Sequence, residues 1–217
     1  MRNKLGTLFM ILGAALVLGA LALLLYNRLD ARRAAAAADA ALPQLLEQIE
    51  HASDTSERGI EYVPSTQQNN AAEHYSISMP EAEIDGYRYI GVLVIPSLSL
   101  ELPVMSEWDY ERLRIAPCRY SGSIPARNLV IAGHNYQGHF GTLYQLSAGD
   151  ELCFFDMNGE RYNYAVDAIE TLAPTSVDEM TAGDYPLTLF TCTVGGQTRL
   201  AVRCVSTDPL PYDPSSW

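Results

Sequence analysis

The chain has 217 residues, 48% of them hydrophobic, and its 26 acidic residues outnumber 14 basic ones to give a net charge of −12. This length suits one domain with an attached segment, and the hydrophobic fraction excludes a wholly disordered chain. The acidity argues against a nucleic-acid partner, because phosphate binding needs clustered lysine and arginine. The charge is unevenly divided: residues 1–33 carry +4, residues 34–217 carry −16, and Lys4 is the only lysine.

The N-terminal region contains an uncharged segment from Leu5 to Tyr26. As a helix it would be about 33 Å long, enough to cross the hydrocarbon core of a membrane. A cleaved signal peptide is the alternative, but its apolar part is normally about 7–15 residues long. We therefore predict an uncleaved membrane anchor over residues 1–33. Basic residues flank both ends, so the positive-inside rule does not decide its orientation.

Two further segments separate the anchor from a folded domain. Asp30–Ser53 is rich in Ala, Leu and Glu, which predicts a helix that continues from the membrane. Residues 54–79 are polar and predict a linker. We assign residues 34–86 to this helical stalk and polar linker, and residues 87–217 to the folded domain.

The folded domain alternates short apolar runs with turn residues, which is typical of an all-β protein. Asn158-Gly159 and Gly195-Gly196 each separate two such runs and predict two β-hairpins. Some seven strands in about 130 residues favour a barrel or a sandwich. Short helical turns are expected near Trp108–Leu113, Thr142–Leu146 and Val177–Met180. The predicted strands are Tyr89–Ile95, Leu100–Met105, Asn128–Ala132, Glu151–Asp156, Arg161–Leu172, Leu187–Thr191 and Thr198–Val205.

The Gly195-Gly196 hairpin is predicted to place a cysteine beside an arginine. If these two glycines form a two-residue turn, Cys192 lies directly opposite Arg199 and their side chains share one face. That face should point away from the core, because the apolar side chains of the second strand lie on its other face: Leu200, Val202 and Cys204. A thiol next to a guanidinium is in the electropositive environment that favours a thiolate.

A cysteine nucleophile also needs an acid/base, and the chain has four histidines. His134 directly follows the predicted strand Asn128–Ala132, a position at which a rigid scaffold presents functional side chains. His139 lies in a glycine-flanked loop and is expected to be a surface or structural residue. His51 and His74 lie in the stalk and the linker.

Three motifs resemble those of the sortases, the membrane-anchored cysteine transpeptidases of Gram-positive bacteria. Thr188–Cys192 (TLFTC) resembles the T-L-x-T-C signature, and Thr198–Arg203 resembles the strand that carries the sortase arginine. Ala132–Asn135 (AGHN) resembles the segment that carries the sortase histidine. The three occur in the family's order, and the resemblance covers about Tyr87 to Val205.

The resemblance implies an eight-stranded sortase β-barrel with short helices, preceded by an N-terminal transmembrane helix and a stalk. It implies that Cys192 attacks an LPXTG-like sorting signal to form a thioacyl enzyme, with His134 as acid/base and Arg199 stabilising the oxyanion. Thr191 and Asn135 are expected to contact the substrate. Neither a metal nor a cofactor is implied.

The resemblance also implies partners and a location. The donor would be a surface protein with a C-terminal sorting signal, and the acceptor a peptidoglycan precursor amine or, in pilin-polymerising members, a pilin lysine. The N-terminus would be cytoplasmic and the catalytic domain extracellular on a single-pass anchor. No Asp-Pro-aromatic lid motif precedes the barrel, and the chain reaches Trp217 without a second apolar segment. These features favour a B/D-like anchoring sortase over a pilin polymerase.

Other interpretations of these residues compete with this one. Four cysteines in an exported domain also fit disulfide bonds, and Cys118, Cys153 and Cys204 could pair with Cys192 or with one another. Arg203 shares the predicted face of Arg199 and is the competing arginine. The alternative functions are a cysteine endopeptidase that uses water as acceptor and a non-catalytic adhesion or assembly module.

Overall fold

The computed structural model describes residues 2–58, 79–182 and 185–208. Two α-helices, α1 (Arg2–Arg58) and α2 (Val177–Met180), accompany nine strands in this part of the chain. Single 3₁₀ turns cover Pro96–Leu98, Arg112–Arg114 and Leu143–Gln145. The strands are β1 (Ala82–Ile84), β2 (Tyr87–Ile95), β3 (Leu100–Met105), β4 (Cys118–Ser121), β5 (Leu129–Ala132), β6 (Glu151–Asp156), β7 (Arg161–Leu172), β8 (Leu187–Cys192) and β9 (Arg199–Ser206).

Helix α1 joins the predicted anchor and the predicted stalk without a break, which confirms the helix expected over Asp30–Ser53. Its N-terminal half is exposed and is long and apolar enough to cross a membrane. Its C-terminal half carries buried residues at intervals of three and four, the spacing of one helical face: Ala34, Ala38, Ala41, Leu45 and Ile49. Most of the predicted polar linker lies outside the described residues.

The C-terminal half of α1 packs against the outside of the β-sheet. Ala41, Leu45 and Ile49 join a hydrophobic cluster with side chains of β2 and β3, including Val92 and Met105. Leu45 has no exposed surface at all. The stalk is therefore part of the folded unit along this stretch, and burial of this face fixes it there.

The strands form one closed barrel of eight, β2 to β9, as the family resemblance implied. Their order around the barrel is β2-β3-β4-β5-β8-β9-β7-β6, and pairing of β6 with β2 closes the ring. The short strand β1 pairs antiparallel with the first three residues of β2, Tyr87–Tyr89. Two pairs are parallel, β3 with β4 and β5 with β8, and the remaining pairs are antiparallel. The barrel interior holds the main hydrophobic core.

Both predicted hairpins are present. The β6–β7 hairpin closes through a bond from the Asp156 amide to the Glu160 carbonyl, so that its loop is Met157–Gly159. The β8–β9 hairpin pairs Cys192 with Arg199, as predicted. Its expected two-residue turn is wrong: a β-turn bonds the Gly196 amide to the Thr193 carbonyl. The register survives because the longer loop is centred on the same two glycines.

The face of β9 that carries Arg199, Ala201 and Arg203 points away from the barrel core, as expected. It is nevertheless not open to solvent: Ala201 is fully buried and Arg203 is 5% exposed, because α2 covers this face and Met180 packs there. The two ends of this face are more open, since Arg199 is partly exposed and Val205 is exposed.

Candidate active site

Cys192 and Arg199 lie opposite each other where β8 and β9 end. They are the last pair in the antiparallel register of these strands. Directly opposed residues have Cβ atoms about 5 Å apart. Both side chains are partly exposed. The thiol and the guanidinium therefore share one solvent-reachable edge of the barrel.

His134 reaches the same edge from the other side of Cys192. Strand β5 runs parallel to β8, with Ala132 paired to Phe190. The Gly133 amide then donates to the Phe190 carbonyl at 3.0 Å. Two residues beyond the Ala132–Phe190 pair, the register brings His134 level with Cys192 on strands that lie about 4.8 Å apart. Cys192 thus stands between His134 and Arg199.

Tight packing fixes the backbone that presents His134. A Cβ on Gly133 would lie 2.5 Å from the ring of Phe140, so that only glycine fits there. The Phe140 amide donates to the His134 carbonyl at 3.0 Å, which folds the following loop back against the strand. The loop therefore holds His134 in place by close contact and by main-chain hydrogen bonding.

The three predicted catalytic residues line one cavity of about 240 Å³. Its wall is largely apolar, because a row of aromatic rings runs along one side. Trp108 lies 5.1 Å from Tyr120, and Tyr120 lies 5.1 Å from Phe190, measured between ring centroids. On the other side are residues of the segment around α2, namely Ala173, Pro174, Ser176, Val177 and Met180. An extended apolar peptide segment fits such a lining better than a charged one does.

Arg203 is excluded as the site arginine by its contacts. Its guanidinium is buried and pairs with the Glu170 carboxylate at 3.0 Å. It also donates to the main-chain carbonyls of Glu179 and Met180, at 2.7 and 3.1 Å. Arg203 therefore holds α2 against the barrel. Among the described residues, the Arg199 guanidinium donates only to the hairpin carbonyls of Gly196 and Thr198, both at 3.1 Å, and Arg199 lines the cavity.

The two predicted substrate-contacting residues differ in their placement. Thr191 lines the cavity, is buried, and its hydroxyl has no hydrogen-bond partner among the described residues. Thr191 alternates with Leu187 and Leu189 of the barrel core, so its hydroxyl lies on the core side of β8 and is closed off from solvent. Asn135 is exposed and is not part of the cavity lining.

The four cysteines are all free thiols in the structure, which removes the disulfide alternative. Cys118, Cys153 and Cys204 are buried. Burial raises the pKa of Cys118 and of Cys204 to about 12 and also raises that of Cys153. Cys192 alone among the four is partly exposed. It is therefore the thiol that a substrate can reach.

The electrostatic environment of His134 favours its neutral form. Burial lowers the pKa of the imidazole below its ordinary value, and the nearby Arg114 guanidinium lowers it further. The Asp30 carboxylate of α1 acts in the opposite direction. A neutral imidazole can accept a proton from a thiol, which is the first requirement of a cysteine nucleophile.

His139 is a structural residue, and the surface alternative is wrong. It has no exposed surface, and neither ring nitrogen makes a well-formed hydrogen bond among the described residues. Burial, together with the neighbouring His134, lowers its pKa to about 4. The folded protein therefore keeps this imidazole neutral.

We expect the free energy of unfolding to fall as the pH is lowered from about 6.5 to about 4. The unfolded chain protonates His139 near pH 6.5, whereas the folded chain does so only near pH 4, so protons favour unfolding in this window. The loss should be on the order of 3 kcal/mol. Chemical denaturation of the full chain in detergent at pH 7 and pH 4.5 measures it. A His139→Asn variant should lose most of this pH dependence; an undiminished dependence would contradict the assignment.

Several residues of the site could not be recognised in the sequence. Trp108 and Tyr120 lie far from the motifs along the chain but line the cavity. The only available signal was two aromatic residues, Trp108 and Tyr110, in an otherwise polar segment. Tyr136 was also missed: its ring stacks on His134 with the centroids 4.7 Å apart.

Comparison with known proteins agrees with this geometry. The family model described as Sortase domain matches residues 93–207, more than half of the chain. Sortase A of Bacillus anthracis is 31% identical over 117 residues, which are 51% of this chain and 55% of that protein. The chain thus spans about half the length of this relative.

Solved structures share the fold. Sortase C1 from Streptococcus suis matches with a TM-score of 0.50 and 25% identity, over 59% of this chain and 76% of that one. A sortase D5 transpeptidase from Clostridium perfringens matches with a TM-score of 0.56 and 16% identity, over 80% of this chain and 99% of that one. The family model, the barrel and the cavity lead to one conclusion: the chain belongs to the sortase family of enzymes.

Proposed function

We propose that this protein is a membrane-anchored cysteine transpeptidase that cleaves an LPXTG-like sorting signal and transfers the acyl product to a cell-wall amine. The observation that carries the proposal is the placement of Cys192 between His134 and Arg199 in one cavity. The catalytic unit is the barrel of residues 87–217, held by the stalk and linker of residues 34–86 to an anchor in residues 1–33.

The reaction would proceed in two steps through a thioacyl enzyme. In the first, neutral His134 takes the thiol proton as the sulfur of Cys192 attacks the scissile carbonyl, and Arg199 stabilises the negative oxygen. His134 then gives that proton to the leaving amine as the carbon–nitrogen bond breaks. In the second, His134 takes a proton from the incoming amine, whose nitrogen displaces the sulfur, and returns the proton to Cys192. Every proton taken is given back.

Two residues beyond these three would hold the substrate. Thr191, which lines the cavity next to Cys192, would contact the sorting signal there. Asn135 would contact the chain that leaves the cavity at its exposed rim. The aromatic wall would take the apolar side chain of the signal.

The similarity to sortases supports an extracellular catalytic domain with the N-terminus in the cytoplasm, since the flanking charges do not decide the orientation. The first apolar half of α1 would be the single membrane span. The donor would be a surface protein with a C-terminal sorting signal, and the acceptor a peptidoglycan precursor amine. The only lysine, Lys4, would then be cytoplasmic, so the enzyme offers no lysine of its own as an acceptor.

The relatives carry class A, C and D names, so similarity does not select one class. A feature of this chain bears on the choice. Cys192 and Arg199 are joined by a short hairpin, and no lid motif precedes the barrel in the sequence. These features favour an anchoring enzyme of B/D-like type over a pilin polymerase.

The test is a fluorogenic LPXTG-like peptide incubated with the full chain, with and without an amine such as triglycine. A transpeptidase should form ligated product that depends on the amine. Cleavage at one rate whether or not amine is present, with only hydrolysed product, would identify an endopeptidase instead. Absence of turnover across a panel of sorting peptides would support a non-catalytic module and reject the proposal.

A further inference from the structure

We propose that Asp30 and Tyr136 are positioning residues for His134, so that the membrane-proximal part of α1 completes the active site. The Tyr136 hydroxyl donates to the Asp30 carboxylate at 2.7 Å. The Tyr136 ring in turn stacks on the His134 imidazole, at 4.7 Å between centroids and 26° between planes. The inference rests on the proposed role of His134 as acid/base.

The hydroxyl of Tyr136 is a dependable donor. Burial and the hydrogen bond to Asp30 raise its pKa to about 12. The phenol therefore keeps its proton over the whole range in which an enzyme works. The hydrogen bond to Asp30 holds the Tyr136 ring in place. Because the His134 imidazole stacks on this held ring, its rotation is limited.

The loop that carries Tyr136 is packed closely against α1. A Cβ on Gly138 would lie 3.0 Å from the Cβ of Ala35, so the loop and the helix approach as near as small residues allow. Ala34 and Ala38, one turn apart on the same helix, are 3% and 2% exposed. A small residue at position 35 thus has a physical reason, because a larger side chain there would push the helix off the loop.

This contact lies close to the proposed membrane span. Asp30 is four residues beyond Tyr26, the last residue of the uncharged segment. At 1.5 Å per residue the contact lies about 6 Å further along the helix axis. The His134 side of the cavity would therefore stand close to the membrane surface.

Charged groups around His134 determine the direction in which each substitution should shift its titration midpoint. Asp30 favours the imidazolium, whereas Arg114 disfavours it. The titratable or charged groups near His134 are Asp30 on α1, Arg114 after β3, Tyr136 and His139 on its own loop, and Cys192 and Arg199 across the cavity. Asp30→Asn keeps an acceptor for Tyr136 but removes the charge, so it should lower the titration midpoint of His134. Arg114→Gln should raise it.

The direct measurement is a histidine NMR titration of the full chain in nanodiscs. Cys192→Ala is included in every sample so that no chemistry interferes, and a His134→Gln spectrum assigns the signal. We expect opposite shifts of the His134 midpoint in Asp30→Asn and Arg114→Gln. Unchanged midpoints in both variants, or an upward shift in Asp30→Asn, would overturn the inference.

Activity provides the second readout, in enzyme that retains Cys192. Tyr136→Leu removes the stack and should lower kcat roughly tenfold, the effect of losing about one net hydrogen bond, with little change in KM. Tyr136→Phe keeps the ring and should lie between this variant and wild type. Full activity and an unchanged pH profile in Tyr136→Leu would reject the positioning role. If wild type itself lacks turnover, the proposed function fails, while the NMR titration still tests the contact.

Discussion

Replacing Cys192 with alanine is expected to lower kcat for peptide cleavage and ligation by about 10⁶. No other described thiol can substitute, because Cys118, Cys153 and Cys204 are buried. Loss of a nucleophile in a comparable hydrolase costs about 10⁶ in kcat. The measurement is turnover of the fluorogenic peptide by the full-length variant, with thermal unfolding to show that it folds.

The matched control is Cys153→Ala. Cys153 is the least buried of the three core thiols, at 7% exposure, and it lies on β6 away from the cavity lining. This variant should lose a little stability and keep its activity. Substantial turnover by the Cys192→Ala variant would refute Cys192 as the nucleophile, whatever the control does.

Replacing Arg199 with alanine should lower kcat/KM by roughly 10²–10³, the usual cost of one oxyanion donor. Arg199 lines the cavity and its few bonds stay within its own hairpin, so the fold should be nearly unaffected. Peptide kinetics and thermal unfolding measured on the same sample separate the two effects.

Arg203→Ala is the matched comparison and should behave in the opposite way. It removes a buried guanidinium bonded to Glu170 and to two carbonyls of α2, so unfolding should become easier by about 3 kcal/mol. Its kcat/KM, measured well below its unfolding temperature, should fall less than that of Arg199→Ala. The reverse ranking would show that the wrong arginine has been placed at the oxyanion.

The sequence predicted those parts of the fold that depend on local pattern. The hairpin glycines Gly195 and Gly196 determined the register of β8 and β9, and therefore the meeting of Cys192 with Arg199. Strand β4 was missed because it is four residues long and carries polar Arg119 and Ser121 instead of an apolar run. Strand β1 was missed because three residues have no measurable alternation.

Long-range contacts were beyond local reasoning. The parallel pairing of β5 with β8 brings His134 level with Cys192, although 58 positions separate them in the chain. Only the family resemblance placed these two residues together in advance. The contact of Asp30 with Tyr136 spans 106 positions. No pattern within either segment indicates it, since it arises from docking of the stalk against the barrel.

The burial of one face of β9 likewise depends on a contact that is distant in the sequence. Ala201 and Arg203 alternate with the core residues and therefore were expected to face outward. The short helix α2 covers them, and the Arg203 guanidinium donates a hydrogen bond to a main-chain carbonyl of α2. The helical turn at Val177–Met180 was expected from the sequence, but no local pattern indicated that it packs on β9.

The most direct test of the account is the mass of the enzyme during turnover. The full-length wild type is incubated with a sorting peptide, quenched in acid, and mapped by proteolysis and mass spectrometry. We predict an added mass equal to the acyl part of the peptide, located on the fragment that contains Cys192 and released by hydroxylamine. Turnover with no adduct on Cys192, or an adduct on another cysteine, would contradict the account.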